Sequence, residues 1–262
     1  MAPRRGETAV IVAGMHRSGT SIVALGLKRL GVVLVDDVEA PADHNPAGYG
    51  EDKDFVAFHR RMFDRSWADP GDPDLGHHHD WGYDPAETFD PSAFDAVAGD
   101  ARALLDREAA TTPWGWKDPR TTLVLDRWVA LLDDPRVLLV VRHPDAVASS
   151  MADLGPSLWR DPVWAHRIWR FYNRRLLAFA RTAKVPCLVV DGGLATASVT
   201  EFADVVNDGL GLALDPSGVV FDHVRHDRFD RDAPRHRLPM TERAASDLLW
   251  RRLRRTAAWR ER

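Results

Sequence analysis

The sequence predicts an α/β fold of three layers, in which helices cover both faces of a central parallel sheet. Short apolar runs rich in β-branched residues, typical of buried strands, alternate along the chain with longer segments of helical periodicity. This alternation favours parallel strands joined by right-handed crossovers. The chain has 262 residues, 45% of them hydrophobic and 28% charged, so it is long enough to bury a core of its own. Ligands bind to such sheets at the carboxyl ends of the strands.

The individual elements follow from the apolar runs and from the turn signals between them. The predicted strands cover residues 9–13, 31–35, 114–116, 136–141 and 185–190. The predicted helices cover residues 21–30, 52–67, 94–109, 119–132, 145–151, 163–182, 199–209 and 242–260. Gly31 marks the end of the first helix, because glycine readily ends helices. Pro119 and Pro144 mark the beginnings of two later helices, since proline suits the first helical turn.

Two segments between these elements are rich in polar and turn-forming residues, 36–50 and 68–92. We interpret residues 68–92 as a loop insertion, of a length typical of active-site lids, within a single domain that spans residues 1–262. The insertion contains three consecutive histidines, His77, His78 and His79. Adjacent side chains point in different directions, so these histidines do not indicate a metal site, and we expect no metal.

The composition weighs against several classes of protein. A formal net charge of −4 and an isoelectric point near 6.3 disfavour nucleic acid as the main partner. No apolar run approaches the roughly 20 residues that span a bilayer, so we expect no stable membrane insertion. Cys187 is the single cysteine, which excludes an internal disulfide and multi-cysteine zinc modules. From these features we expect a cytoplasmic protein.

The loop after the first strand has the composition of a phosphate-binding loop. It reads Gly14-Met15-His16-Arg17-Ser18-Gly19-Thr20-Ser21 and lies between a predicted strand and a predicted helix. Glycines let the backbone amides turn inward, and the helix N-terminus adds positive potential, so an anion is favoured here. We therefore interpret the loop as an anion-binding site rather than as a turn that binds no ligand. The spacing fits that of P-loop nucleotide-binding proteins except that Thr20 replaces the lysine that serves a triphosphate. The loop therefore predicts a P-loop-like fold and a single phosphate, with Arg17 supplying the cation.

A second candidate anion site follows the strongest predicted strand. Arg142 comes directly after Val141, and Ser150 lies eight residues further on, nearly two turns into the predicted helix. A charge at the end of a buried strand needs a partner. The partner is either a second phosphate, held by Arg142 and Ser150, or a nearby carboxylate such as Asp145. Two separate single phosphates would belong to one nucleotide.

Three motifs together resemble the sulfotransferases that use 3′-phosphoadenosine 5′-phosphosulfate. They are GMHRSGTS after the first strand, WKDPR in mid-chain and VVRHPDAVASS after a central strand, and the resemblance covers roughly residues 8–152. The chain is most similar to the bacterial branch related to tyrosylprotein and heparan sulfotransferases. The resemblance implies that the first loop holds the 5′-phosphosulfate. It also implies that Arg142 and Ser150 hold the 3′-phosphate.

The resemblance also implies roles in sulfuryl transfer. The donor would contact His16, Arg17, Ser18, Gly19, Thr20, Ser21, Arg142 and Ser150. Lys117 resembles the lysine that faces the bridging oxygen of the donor, and Arg17 would offset the charge of the departing phosphate. Glu51 is the first candidate for the base that accepts the proton of the acceptor hydroxyl, and Asp52 is the second. An acidic residue at this place could equally cap the following helix.

Other residues remain candidates for the same roles. Enzymes elsewhere in the superfamily use a histidine as the base, which keeps His16, His44 and His59 as alternatives. Related enzymes place basic residues late in the chain near the 3′-phosphate, and here Arg225 and Arg228 are the candidates.

The function expected from these features is transfer of a sulfuryl group to a hydroxyl of a carbohydrate, lipid or small-molecule acceptor. A P-loop kinase is the first alternative, favoured by Asp191 at the end of an apolar strand and disfavoured by the missing loop lysine. A non-catalytic nucleotide-binding protein is the second, and it would keep both phosphate sites while Lys117 and Glu51 faced away from them. The sequence carries no signature of a particular acceptor or of an oligomeric state.

Overall fold

The computed structural model describes residues 7–35, 50–66, 90–108, 113–153, 160–196, 198–220 and 234–258. Among these residues, five strands form one sheet: β1 (Thr8–Gly14), β2 (Val33–Leu34), β3 (Trp114–Lys117), β4 (Asp134–Val141) and β5 (Cys187–Asp191). All neighbouring strands run parallel, in the order β2-β3-β1-β4-β5. The carboxyl ends of all these strands therefore lie at one edge of the sheet.

The helices of the described residues lie between these strands and after the last of them. They are α1 (Thr20–Arg29), α2 (Lys53–Ser66), α3 (Ala98–Glu108), α4 (Leu125–Val129), α5 (Pro144–Ala152), α6 (Pro162–Thr182), α7 (Val199–Leu210) and α8 (Met240–Thr256). Three 3₁₀ segments accompany them: Pro91–Val97 before α3, Pro119–Val124 before α4 and Gly192–Thr196 after β5.

The core consists of two hydrophobic clusters, one on each face of the sheet. Successive side chains of a strand point to opposite faces, and β1 shows this directly. Ala9, Ile11 and Ala13 pack into one cluster with side chains of α2, α3, α5, α6 and α8. Val10 and Val12 pack into the other with side chains of α1 and α7. The predicted three-layer α/β fold with a central parallel sheet is confirmed.

Most predicted elements occur within a few residues of their expected bounds, but the helix expected at 119–132 is wrong. This stretch forms a 3₁₀ segment followed by the short helix α4. Two threonines explain the difference, because their hydroxyls bind strand residues instead of facing solvent. Thr121 Oγ1 accepts a hydrogen bond from the indole of Trp116, and Thr122 Oγ1 accepts one from the amide of Gly14.

Strands β1 and β3 approach each other closely at Gly115. A Cβ atom at this position would lie 1.9 Å from the carbonyl oxygen of Val10. The register places Val12 beside Lys117, so this close approach fixes where the end of β3 stands relative to the loop after β1.

No helix among the described residues has both the length and the apolar character needed to cross a bilayer. The insertion predicted at 68–92 lies almost wholly outside the described residues, which begin again at Asp90.

Candidate active site

The loop between β1 and α1 is a tight turn at the carboxyl edge of the sheet. The amide of Ser18 donates to the carbonyl oxygen of Met15 at 3.2 Å, and Gly19 adopts a left-handed conformation with φ of 93°. Arg17 also has a positive φ, 65°, which is uncommon for a residue with a side chain. Such strain persists where the surroundings hold it in place and is concentrated at functional sites.

The interior of this loop presents polar groups that are shielded from solvent. Ser18 and Thr20 are buried, and among the described residues the Ser18 hydroxyl has no hydrogen-bond partner. A buried hydroxyl without a partner costs free energy that a bound anion would recover. His16 is buried next to them, and burial together with the nearby Arg120 guanidinium lowers its pKa well below the ordinary value. The imidazole is therefore neutral at neutral pH.

The structure brings the first loop and the second anion motif into direct contact. Arg17 Nε donates to Ser150 Oγ at 3.0 Å, and Arg142 Nη1 donates to the carbonyl oxygen of Arg17 at 3.2 Å. The indole of Trp169 donates to the carbonyl oxygen of Arg142 at 3.0 Å and holds the strand end in place. Three of the residues predicted to bind phosphate thus form one connected group at the ends of β1 and β4.

Asp145, the carboxylate considered as an alternative partner for Arg142, binds Arg243 of α8 instead. Its two oxygens lie 2.7 and 3.0 Å from Arg243 Nη1 and Nη2. Burial alone would raise the pKa of Asp145, but hydrogen bonds from His166 and Arg243 outweigh burial and hold it well below its usual range. The carboxylate stays ionised and fastens α8 to α5.

Glu51 lies between two cations that come from the end of β3 and the segment after it. Lys117 Nζ donates to Glu51 Oε1 at 2.6 Å, and Arg120 Nη1 donates to Glu51 Oε2 at 3.0 Å. Helix capping is performed by the next residue, because Asp52 Oδ1 accepts hydrogen bonds from the amides of Asp54 and Phe55. The two acidic candidates therefore differ in role, and only Glu51 contacts Lys117.

Arg120 was not predicted from the sequence as a site residue. It is buried, and its Nη1 bridges Glu51 and Asp118 Oδ1, the latter at 3.1 Å. Burial opposes the charge of Arg120, but Asp118 and Glu51 outweigh burial and raise its pKa above the ordinary value. The signal was present in the WKDPR motif, where three charged residues follow a buried strand and require partners.

A comparison with protein families identifies the family of the chain. A model described as "Sulfotransferase family" matches residues 9–214, which is most of the chain and includes both anion motifs and the Glu51 cluster. The chain belongs to the sulfotransferase family. Membership in this family supports sulfuryl transfer as the activity, rather than the phosphoryl transfer of a kinase. Among curated protein sequences, none matches the chain.

Two solved structures share the fold of this sulfotransferase. One is the sulfotransferase domain of the olefin synthase of Synechococcus PCC 7002, at 19% identity and a TM-score of 0.53, with 94% of this chain and 95% of that domain covered. The other is the sulfotransferase domain of the curacin biosynthetic pathway, at 14% identity and the same TM-score, with 94% and 99% covered. At these identities the likeness concerns the fold, which is P-loop-like and agrees with the prediction.

The histidines kept as alternative bases have different places in this sulfotransferase. His59 Nδ1 lies 2.9 Å from Asp118 Oδ2, and the indole of Trp128 donates to His59 Nε2 at 3.1 Å, so both ring nitrogens are engaged inside the core. His16 lies in the loop with its ring edge-on to Tyr172. His44 lies outside the described residues.

The late basic candidates Arg225 and Arg228 also lie outside the described residues. A different residue from the end of the chain reaches the second motif, because His236 Nε2 lies 3.0 Å from Ser149 Oγ, next to Ser150. Sequence reasoning missed His236, since nothing in the linear pattern pairs it with α5. Within the described part of the chain no group of acidic, histidine or cysteine side chains has the arrangement of a metal site.

Proposed function

We propose that this sulfotransferase transfers the sulfuryl group of 3′-phosphoadenosine 5′-phosphosulfate to a hydroxyl of a carbohydrate, lipid or other small-molecule acceptor. The observation that carries the proposal is the contact between the two anion motifs, in which Arg17 binds Ser150 and Arg142 binds the backbone of Arg17. A nucleotide with a 5′-phosphosulfate and a 3′-phosphate requires two such sites side by side.

The donor is a substrate whose charges match the groups available at this edge. The inward-facing amides, Ser18 and Thr20 would take the 5′-phosphate, because the N-terminus of α1 and buried donors favour an anion there. Arg142 and Ser150 would take the 3′-phosphate, and Arg17 between them would offset charge on both. The loop offers Thr20 where a lysine would serve a triphosphate, so a single phosphate suits it better.

In the proposed reaction, the acceptor oxygen attacks sulfur from the side opposite the phosphate oxygen. A bond from oxygen to sulfur forms, the sulfur–oxygen bond to the 5′-phosphate breaks, and adenosine 3′,5′-bisphosphate departs. Glu51 accepts the proton of the acceptor hydroxyl, and Lys117 and Arg17 offset the charge that grows on the departing phosphate. The burial of Lys117 makes this electrostatic contribution larger than it would be in water.

Glu51 contacts Lys117 directly, and as the base it must also be reached by the acceptor hydroxyl. Each carboxylate oxygen can accept more than one hydrogen bond, so an acceptor hydroxyl can approach Glu51 while both cations stay bound. The cations hold the carboxylate in one orientation before the acceptor arrives, and this is the preorganisation that group transfer needs.

Calorimetry with adenosine 3′,5′-bisphosphate tests the donor. We expect binding in the presence of a chelator, with much weaker binding of adenosine 5′-phosphate, because the latter lacks the group that Arg142 and Ser150 would hold. Binding of ATP only with Mg²⁺, together with no binding of the bisphosphate, would contradict the proposal. A screen of hydroxyl acceptors with the donor labelled on sulfur then identifies the acceptor class.

A further inference from the structure

We propose that His59 is a positioning residue for Glu51 and acts on it through Asp118 and Arg120. The proposal rests on the proposed function, since it concerns the residue assigned there as the base. His59 lies in α2 and is fully buried, and no motif of the sequence pairs it with the other three residues.

A continuous chain of hydrogen bonds, which we call the relay, joins the buried His59 to the partly buried Glu51. His59 Nδ1 lies 2.9 Å from Asp118 Oδ2, and Asp118 Oδ1 accepts from Arg120 Nη1 at 3.1 Å. The same Arg120 nitrogen donates to Glu51 Oε2 at 3.0 Å. His59 and Asp118 are fully buried and Arg120 is 5% exposed, so the bonds among these three residues are shielded from solvent.

The tautomer of His59 follows from its other neighbour. The indole nitrogen of Trp128 can only donate a hydrogen bond, and it lies 3.1 Å from His59 Nε2. Nε2 must therefore accept, which leaves the proton of the neutral ring on Nδ1. Nδ1 in turn donates to Asp118, so Trp128 fixes the direction of the whole relay.

The two carboxylate oxygens of Asp118 bind different residues. Oδ2 is held by His59, while Oδ1 accepts from both the backbone amide and the side chain of Arg120. With both oxygens held, the carboxylate keeps one orientation, and the guanidinium that it binds stays directed at Glu51. Loss of the bond from His59 would leave the carboxylate held at Oδ1 alone, and the guanidinium beside the base would be less firmly positioned.

His59 is also a packing residue, which the test must separate from positioning. Its ring lies against Phe58, Phe63 and Trp128, so any replacement disturbs the core. Asparagine and glutamine give a matched pair of replacements, because both are amides of similar polarity but place their polar atoms differently. The asparagine amide can donate from near the position of Nδ1, whereas the longer glutamine side chain places its amide near the position of Nε2.

The experiment compares kcat, donor KM and melting temperature of His59→Asn and His59→Gln. We expect His59→Asn to keep kcat near the wild-type value and His59→Gln to lose roughly 10- to 100-fold in kcat, since displacement of a reacting group by about 1 Å costs on this order. The donor KM should stay unchanged in both, because the relay does not touch the phosphate sites. Equal losses of kcat in the two variants, or a larger loss in His59→Asn, would overturn the proposal.

A second measurement needs no turnover. In a ¹H–¹⁵N spectrum of the full chain, the buried guanidinium hydrogens of Arg120 should exchange slowly with water in wild type and in His59→Asn, and rapidly in His59→Gln. Equal exchange in the two variants would overturn the relay. The His59 ring nitrogens in the spectrum of the wild-type protein should show the proton on Nδ1, and a proton on Nε2 would also overturn it.

These readouts distinguish failure of the relay from failure of the proposed function. A wild-type protein without sulfuryl transfer, or a Glu51→Gln variant with full turnover, would overturn the proposed function or the base role of Glu51. Neither result alters the exchange of Arg120 hydrogens or the tautomer of His59, and these still decide whether His59 positions Arg120.

Discussion

Replacement of Arg142 by alanine separates the two phosphate sites from each other. Arg142 stands at the end of β4, is 8% exposed, and donates through Nη1 to the backbone of Arg17. The replacement therefore removes two things, which are the charge proposed to hold the 3′-phosphate and a hydrogen bond that supports the first loop. Adenosine 3′,5′-bisphosphate depends on both, whereas adenosine 5′-phosphate depends on the loop alone.

The magnitudes of the two losses differ enough to be measured. A hydrogen bond to a charged group contributes about 1.5–3 kcal/mol, which corresponds to about 10- to 150-fold in affinity. The bond to the Arg17 carbonyl contributes about 1 kcal/mol, or about fivefold, and this loss falls on both nucleotides. The bisphosphate should therefore lose about 50-fold or more, and the monophosphate about fivefold.

Isothermal titration calorimetry without Mg²⁺ measures both affinities in wild type and variant. Arg136→Ala is the matched control, because Arg136 lies on the same strand at its opposite end and pairs there with Asp134. The control should leave both affinities unchanged. Equal losses for the two nucleotides in Arg142→Ala would refute the assignment of the 3′-phosphate to this residue.

Three further changes have defined outcomes. Gly115→Ala should destabilise the protein by about 3 kcal/mol or more in urea unfolding, because its Cβ would lie 1.9 Å from the carbonyl oxygen of Val10; wild-type stability would contradict the close packing of β1 and β3. Glu51→Gln should reduce kcat by about 100-fold or more and leave the affinity for the bisphosphate nearly unchanged, and a variant with normal kcat would clear Glu51 of the base role. Asp145→Asn should cost about 3 kcal/mol at pH 7 through loss of the pair with Arg243. The depressed pKa of Asp145 provides stability above the unfolded carboxyl pKa that is lost as the pH falls, so the difference from wild type should shrink below about pH 4, and a constant difference would argue against the ion pair.

The parts of the fold that could be predicted are those in which neighbouring residues carry the information. The apolar runs of β1, β4 and β5 predicted buried strands, because burial on both faces removes polar residues from a strand. The 3₁₀ segment at Pro119–Val124 was missed because its conformation depends on hydrogen bonds that Thr121 accepts from Trp116 of β3 and Thr122 accepts from Gly14 of β1. Such bonds override local helical tendency and leave no trace in the periodicity.

The same distinction applies to the candidate site. The loop after β1 and the pair Arg142 and Ser150 were predicted because each is a short motif with fixed spacing, and the structure joins them through Arg17. The relay to Glu51 was not predicted, because α2, the segment after β3 and α4 meet only in the folded protein. His236 was missed for the same reason, since 87 residues separate it from Ser149.

The carboxylate of Asp118 binds a different residue with each oxygen, and this limits which amino acids position 118 can hold. Asparagine would turn an amide N–H group toward either the imidazole N–H of His59 or the guanidinium of Arg120, so two donors would face each other wherever the amide is placed. Glutamate carries the same charge but is one methylene longer, at a position that is fully buried and closely packed. Aspartate is thus the side chain that can bind both partners at once. A substitution at position 118 would therefore require simultaneous substitution of His59 and Arg120, which lie on two other elements of the fold.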